Sequence, residues 1–68
     1  MKLKVNGETE ELEGEEITIN ELLEKLEVDM PDMVSVELNG DVLSRSTYDK
    51  KKVTAGDEVE FLYFMGGG

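Results

Sequence analysis

Three consecutive glycines, Gly66, Gly67 and Gly68, end the sequence directly after an apolar run. Glycine has no Cβ, so a glycine thread packs nothing but can enter a channel that is too narrow for side chains. The last glycine carries a free α-carboxylate, which becomes reactive when adenylation by ATP gives it a leaving group. The pattern predicts that Gly68 reacts, and that Gly66 and Gly67 form a thin tail that delivers it to a partner enzyme.

The rest of the composition argues against chemistry within the chain itself. The sequence has no His and no Cys, so the commonest acid–base residue and the thiol nucleophile are both missing. A run of acidic residues could hold a hard cation only loosely, because it lacks calcium-loop spacing. We interpret that run as a solvated face and expect no metal, no bound cofactor and no enzymatic activity; its members are Glu8, Glu10, Glu11, Glu13, Glu15 and Glu16.

The charge balance limits the possible partners. Seventeen acidic residues and seven basic residues give a net charge of -10 over 68 residues. Nucleic acid and anionic membrane surfaces would be repelled, whereas a basic protein surface would be attracted. No segment is typical of a signal peptide or a membrane span, so we expect a cytoplasmic protein that is monomeric when free.

Alternation of polar and apolar residues predicts the strands. Asn-Gly at Asn6-Gly7 and at Asn39-Gly40 indicates two tight hairpins. We expect residues 44–52 to be irregular, with Tyr48 buried. The predicted strands are Lys2–Asn6, Glu8–Glu13, Val34–Leu38, Asp41–Leu43 and Glu58–Phe64.

One helix is predicted between the second and third strands. Thr18 and Glu21 fit a capping box, which marks its start. Pro31 limits its extension, so we expect it to end near Glu27. Its apolar face has helical spacing and consists of Ile19, Leu22, Leu23 and Leu26.

Strands that flank a single helix favour an α+β fold. The order is that of the β-grasp, or ubiquitin-like, fold: a mixed sheet of about five strands, with the first and last strands parallel at its centre and the helix across one face. We predict a domain over residues 1–65 and a flexible tail over 66–68. On the last strand Leu62 and Phe64 should face away from the helix, and together with Met65 they are our predicted partner interface.

Several segments together resemble the ThiS family of sulfur carriers in thiamine thiazole biosynthesis. They are Val34–Gly40, Arg45 followed by Tyr48, Gly56–Glu60 and the terminal glycines. The resemblance implies that Gly68 is adenylated by a ThiF-type enzyme that uses ATP. A persulfide donor would then convert it to a thiocarboxylate, and a thiazole synthase of the ThiG type would take the sulfur.

Other functions stay open at this level. Related carriers supply sulfur for molybdopterin or for cysteine and methionine synthesis, and a ubiquitin-like modifier could use the same tail for conjugation to lysine. The short length favours a carrier over a modifier. The residues alone do not identify the biosynthetic pathway that receives the sulfur.

Overall fold

The computed structural model describes residues 1–63, which contain seven strands and one α-helix. There are also two short 3₁₀ turns: Pro31–Met33 lies between the α-helix and a strand, and Arg45–Thr47 lies between two strands. The helix, α1, is Ile19–Lys25. The strands are β1 (Lys2–Val5), β2 (Glu8–Glu11), β3 (Glu16–Thr18), β4 (Val34–Leu38), β5 (Asp41–Val42), β6 (Lys52–Thr54) and β7 (Glu58–Tyr63).

Five strands form the main sheet in the order β2-β1-β7-β4-β5. The first and last strands, β1 and β7, are parallel neighbours, and all the other pairs in this sheet are antiparallel. This is the predicted β-grasp arrangement, and it places β7 at the centre of the sheet. Residues 64–68 lie outside the described residues, as does the predicted boundary between residues 65 and 66.

Both predicted hairpins are confirmed. Asn6 and Gly7 have φ values of 52° and 83°, and Asn39 and Gly40 have 51° and 89°. A two-residue turn with both φ values positive matches the twist of the strands on either side, and Asn and Gly tolerate this conformation best. Each hairpin therefore forms where its Asn-Gly pair predicts it.

The predicted capping box starts α1. Thr18 Oγ1 accepts a hydrogen bond from Glu21 N–H at 3.2 Å, and Glu21 Oε1 accepts one from Thr18 N–H at 3.1 Å. The predicted end near Glu27 is slightly too late, because α1 ends at Lys25. Pro31 does not cause this: Glu27 takes a left-handed conformation with φ 54°, and Val28 N–H donates to Leu23 O at 3.0 Å. These are features of a Schellman ending.

One core lies between α1 and the sheet. The predicted helix face is confirmed, since Ile19, Leu22 and Leu23 are buried and Leu26 packs against them at the edge. Tyr48 is also buried, as expected, and its hydroxyl accepts a hydrogen bond from Val36 N–H at 2.9 Å. The sheet contributes Leu3, Val5, Val34, Val36, Leu38 and Val59, with Phe61 half-buried.

A second, two-stranded sheet was not predicted. The strands β3 and β6 pair antiparallel, with Ile17 opposite Val53. Lys52 Nζ lies 2.9 Å from Glu16 Oε1 across this pair. The expectation that residues 44–52 are wholly irregular is therefore wrong at Lys52 and in the 3₁₀ turn. Strands of three residues are too short for alternation to identify them.

Candidate functional site

The strand β7 positions the end of the chain that carries the glycines. It pairs with β1 only at its start, at Glu58 and Val59, and with β4 from Val59 through Tyr63. A central strand is the most constrained element of a sheet. The last described residue, Tyr63, pairs with Val34 at the start of β4. The described part of the chain therefore ends at a residue that β4 holds in place.

Two hairpin asparagines also hold β7. Asn39 Oδ1 accepts a hydrogen bond from Glu58 N–H at 2.9 Å, where the strand begins. Asn6 Oδ1 accepts one from Phe61 N–H at 2.8 Å, closer to the tail. The chain turns away at Asn6, so its side-chain oxygen continues the ladder that β1 can no longer supply. The sequence predicted these residues as turn formers but did not reveal this second role.

The sheet surface opposite α1, which we call the open face, carries the predicted interface residue that the structure describes. Leu62 lies on this face with 40% of its surface exposed, beside Ser35 on β4. Glu60 and Glu37 are cross-strand neighbours on the same face, and Val42 lies beside Glu37. The open face thus presents an exposed leucine next to the tail, with two carboxylates beside it.

The opposite surface at the same end of β7 was not predicted as a site. Tyr63 is 51% exposed there, although it shares a face with buried Val59. Seven helical residues span about 10 Å, whereas the six residues of β7 span about 20 Å. The helix α1 is therefore too short to cover the end of β7. A comparison of the helix and strand lengths could have predicted this uncovered site from the sequence.

The uncovered region is a groove of about 450 Å³, which we call the helix-side groove. Its apolar lining comes mainly from Leu26, Val28, Phe61 and Tyr63. Its acidic lining comes from Glu8, Glu10, Glu27 and Asp29. Among the described residues that line it, there is no lysine or arginine. The groove and the open face thus flank the end of β7 on opposite sides of the sheet.

The other predicted site residues, Phe64, Met65, Gly66, Gly67 and Gly68, lie outside the described residues. Their assignment stays a prediction. Within residues 1–63, no group of three or more His, Cys, Asp or Glu side chains is arranged to hold a metal ion.

Comparison with known proteins decides the family. The sequence model of the ThiS family matches residues 3–68, which is almost the whole chain and includes the terminal glycines. The chain belongs to the ThiS family. The resemblance inferred from Val34–Gly40 and the other segments is thereby confirmed.

Solved structures of a ThiS protein have the same fold. A crystal structure of the thiamine biosynthesis protein ThiS from Geobacter metallireducens is 51% identical to this chain. The match covers all of both chains with a TM-score of 0.92. A solution NMR structure of a thiamine biosynthesis protein from the same organism is also 51% identical, covers 88% of that chain, and has a TM-score of 0.79.

Two similar proteins are thiazole synthases. Those of Paramagnetospirillum magneticum and Magnetococcus marinus are each 38% identical to this ThiS-family chain over all 68 of its residues. The chain spans about a fifth of their length, 20% in each case. These synthases therefore contain a ThiS-like segment within a much longer polypeptide.

Across residues 1–63, no helix combines the length and the apolar character that crossing a membrane requires.

Proposed function

We propose that this chain is a sulfur carrier for the synthesis of the thiamine thiazole ring, with Gly68 as the carrier residue. It would act as a protein substrate of its partner enzymes and not as an enzyme itself. One observation carries the proposal: the ThiS-family match extends through residues 3–68, so it includes the terminal glycines as well as the domain. The names of the relatives favour the thiamine branch over carriers for molybdopterin or amino acid synthesis.

The chemistry begins with activation of the Gly68 carboxylate. One carboxylate oxygen attacks the α-phosphorus of ATP on a ThiF-type enzyme, so that an acyl-adenylate forms and pyrophosphate leaves. The carbonyl carbon now has AMP as its leaving group. The chain supplies the carboxylate, and the partner supplies ATP and the groups that stabilise the transition state.

Sulfur transfer follows on the activated carbonyl. The terminal sulfur of a protein persulfide attacks the carbonyl carbon, and AMP departs with the C–O bond electrons. A second protein thiol then attacks the resulting acyl disulfide and is oxidised to a disulfide as the thiocarboxylate is released. The donor must be another protein, because this chain has no Cys. The thiocarboxylate sulfur is nucleophilic and can pass to the thiazole precursor on a ThiG-type synthase.

The activating enzyme would dock on the open face. Leu62 is exposed there and lies six residues from Gly68, which is close enough for a docked enzyme to receive the extended tail. Phe64 and Met65 would extend this apolar contact along the chain. The net charge of -10 would raise the association rate with a basic docking surface.

The deciding experiment combines the purified chain with its ThiF-type enzyme, ATP and a persulfide donor. Intact-mass analysis should show one oxygen of the chain replaced by one sulfur. Removal of Gly67 and Gly68 should abolish the gain in mass. If the truncated chain still carries sulfur, the assignment of Gly68 is wrong.

One substitution tests whether the narrow shape of the tail matters independently of its terminal carboxylate. Gly67→Val keeps the Gly68 carboxylate but adds a β-branched side chain, which should block entry into a narrow channel. We expect adenylation to fall at least tenfold, while the urea midpoint of the domain stays at the wild-type value. Equal adenylation of Gly67→Val and the wild-type chain would contradict the proposed channel.

A further inference from the structure

We propose that the helix-side groove is the docking site for thiazole synthase, through a segment of the synthase that carries lysine or arginine beside an apolar side chain. This inference rests on the proposed function, because it concerns the enzyme that receives the sulfur. It adds a second partner surface, on the side of the sheet opposite Leu62.

The first argument is position. The activating enzyme and the synthase must reach the same five residues beyond Tyr63, so each needs a surface near the end of β7. Among residues 1–63, each side of the strand offers a short apolar stretch there. Leu62 lies on the open face, whereas Phe61 and Tyr63 line the helix-side groove.

The second argument is the make-up of the groove. Its floor has large apolar side chains, with Tyr63 half exposed and Phe61 half buried. Tyrosine at an interface offers a large, rigid contact surface with a polar tip. An apolar floor of this kind with solvent above it is a typical contact surface.

The third argument is charge, and it identifies the chemistry of the occupant. Four carboxylates surround the floor, and the described lining residues include no cation. Glu8 and Asp29 are exposed at the rim, and neither makes an ion pair within residues 1–63. An anionic or uncharged segment would leave this negative field unbalanced, whereas lysine or arginine side chains would complement it.

The fourth argument selects the synthase. Two thiazole synthases carry a segment similar to this whole chain within one polypeptide. A ThiS-like segment is thus covalently joined to a thiazole synthase in those proteins, which favours the synthase as a partner with its own contact surface. Since we propose the open face for the activating enzyme, the groove is the surface near the end of β7 that we assign to the synthase.

The test measures binding of the unmodified chain to the thiazole synthase of the same organism by isothermal titration calorimetry. Glu8→Lys, Asp29→Lys and Tyr63→Ser should each weaken the affinity about tenfold. The matched control is Glu13→Lys, which makes the same change in net charge as the two rim variants, two residues beyond the end of β2 at Glu11. It should weaken the affinity less than threefold. Thermal unfolding confirms that each variant is folded.

The same variants are then titrated with the ThiF-type enzyme. We expect the two rim variants to change that affinity no more than Glu13→Lys does. Equal weakening by Glu13→Lys and the rim variants would reduce the effect to net charge and overturn the proposal. A larger effect on the ThiF-type enzyme than on the synthase would also overturn it. The binding experiment uses the unmodified chain, so its outcome does not depend on whether Gly68 carries sulfur. The two proposals can therefore fail independently of each other.

Discussion

The side-chain oxygen of Asn6 lies 2.8 Å from the backbone nitrogen of Phe61 and accepts its hydrogen bond across 55 residues of sequence. The first hairpin turn thus holds the strand that leads to the terminal glycines. Since Phe61 also lines the helix-side groove, one contact supports both the tail and the groove.

Replacement of Asn6 by glycine should therefore loosen the end of β7. Asn6→Gly keeps the positive φ of the turn but removes the acceptor, so we expect a loss of about 1 kcal/mol in unfolding free energy. Hydrogen exchange at the Phe61 amide should become faster. Asn6→Asp keeps an acceptor oxygen and serves as the control. An unchanged Phe61 exchange rate in Asn6→Gly would show that this hydrogen bond does not hold the strand.

Towards the other edge of the sheet, the Tyr48 hydroxyl also takes the place of a backbone hydrogen-bond partner, as the Asn6 side chain does for Phe61. Leu43, just after β5, donates its N–H to Val36 O at 2.9 Å, but the Val36 N–H is taken by the Tyr48 hydroxyl. Tyr48→Phe should leave that buried donor without a partner and cost about 1–3 kcal/mol, measured by urea unfolding. Tyr63→Phe removes the same hydroxyl from an exposed ring and should cost much less.

Glu27 offers a stabilising substitution. It adopts φ 54° at the end of α1, a conformation that is strained for residues with a Cβ. Glu27→Gly should raise the unfolding free energy by about 1 kcal/mol, because glycine is the preferred residue at this position of a Schellman ending. Glu27→Ala also removes the carboxylate but keeps the Cβ, so it should give no gain. Equal stability of the two variants would mean that backbone strain is not relieved.

The sequence predicted β1, β4 and β7 because these strands alternate over five or more residues, and β2 and β5 because they follow the Asn-Gly turns. It did not reveal β3 and β6, whose three residues are too few for a period. Glu27 gave no local sign that it ends α1, since glycine usually holds that position. The exposure of Leu62 followed from alternation on β7. The exposure of Tyr63 depends on the length of α1 relative to β7, and a long-range contact such as Asn6–Phe61 leaves no local pattern.

The capping box predicts a pH dependence. Hydrogen bonds from the Thr18 backbone N–H and then from its hydroxyl lower the pKa of Glu21 below its usual value. The folded state therefore holds this proton less tightly than the unfolded chain. The stabilisation is complete above the ordinary glutamate pKa of about 4.3 and is lost as the pH falls through the lowered folded value.

Urea unfolding of the wild type and Glu21→Gln over roughly pH 3 to 6 measures this contribution. The difference in stability between them should shrink as the pH falls, because the protonated glutamate no longer offers a charged acceptor. Thr18→Ala removes the other half of the capping box and should cost about 1 kcal/mol near neutral pH. A difference between wild type and Glu21→Gln that grows on acidification would reverse the predicted sign.

The exposure of Leu62 leads to a prediction about the activating enzyme. Leu62→Ala removes apolar surface that is already exposed, so the domain should lose little stability. Its complex with the ThiF-type enzyme should dissociate about tenfold faster, with a nearly unchanged association rate, because short-range apolar contacts act mainly on the off-rate. Surface plasmon resonance separates the two rates.

Val42→Ala is the matched control for Leu62→Ala. Val42 is also exposed on the open face but lies two strands away from β7. Its substitution should change the dissociation rate less than threefold if the contact is concentrated beside the tail. Added salt should slow association of all three proteins alike, because the net charge of -10 is common to them and the Debye length shortens to about 8 Å at physiological ionic strength. An equal effect of both substitutions would spread the contact across the whole open face, and no effect of either would move the docking site away from it.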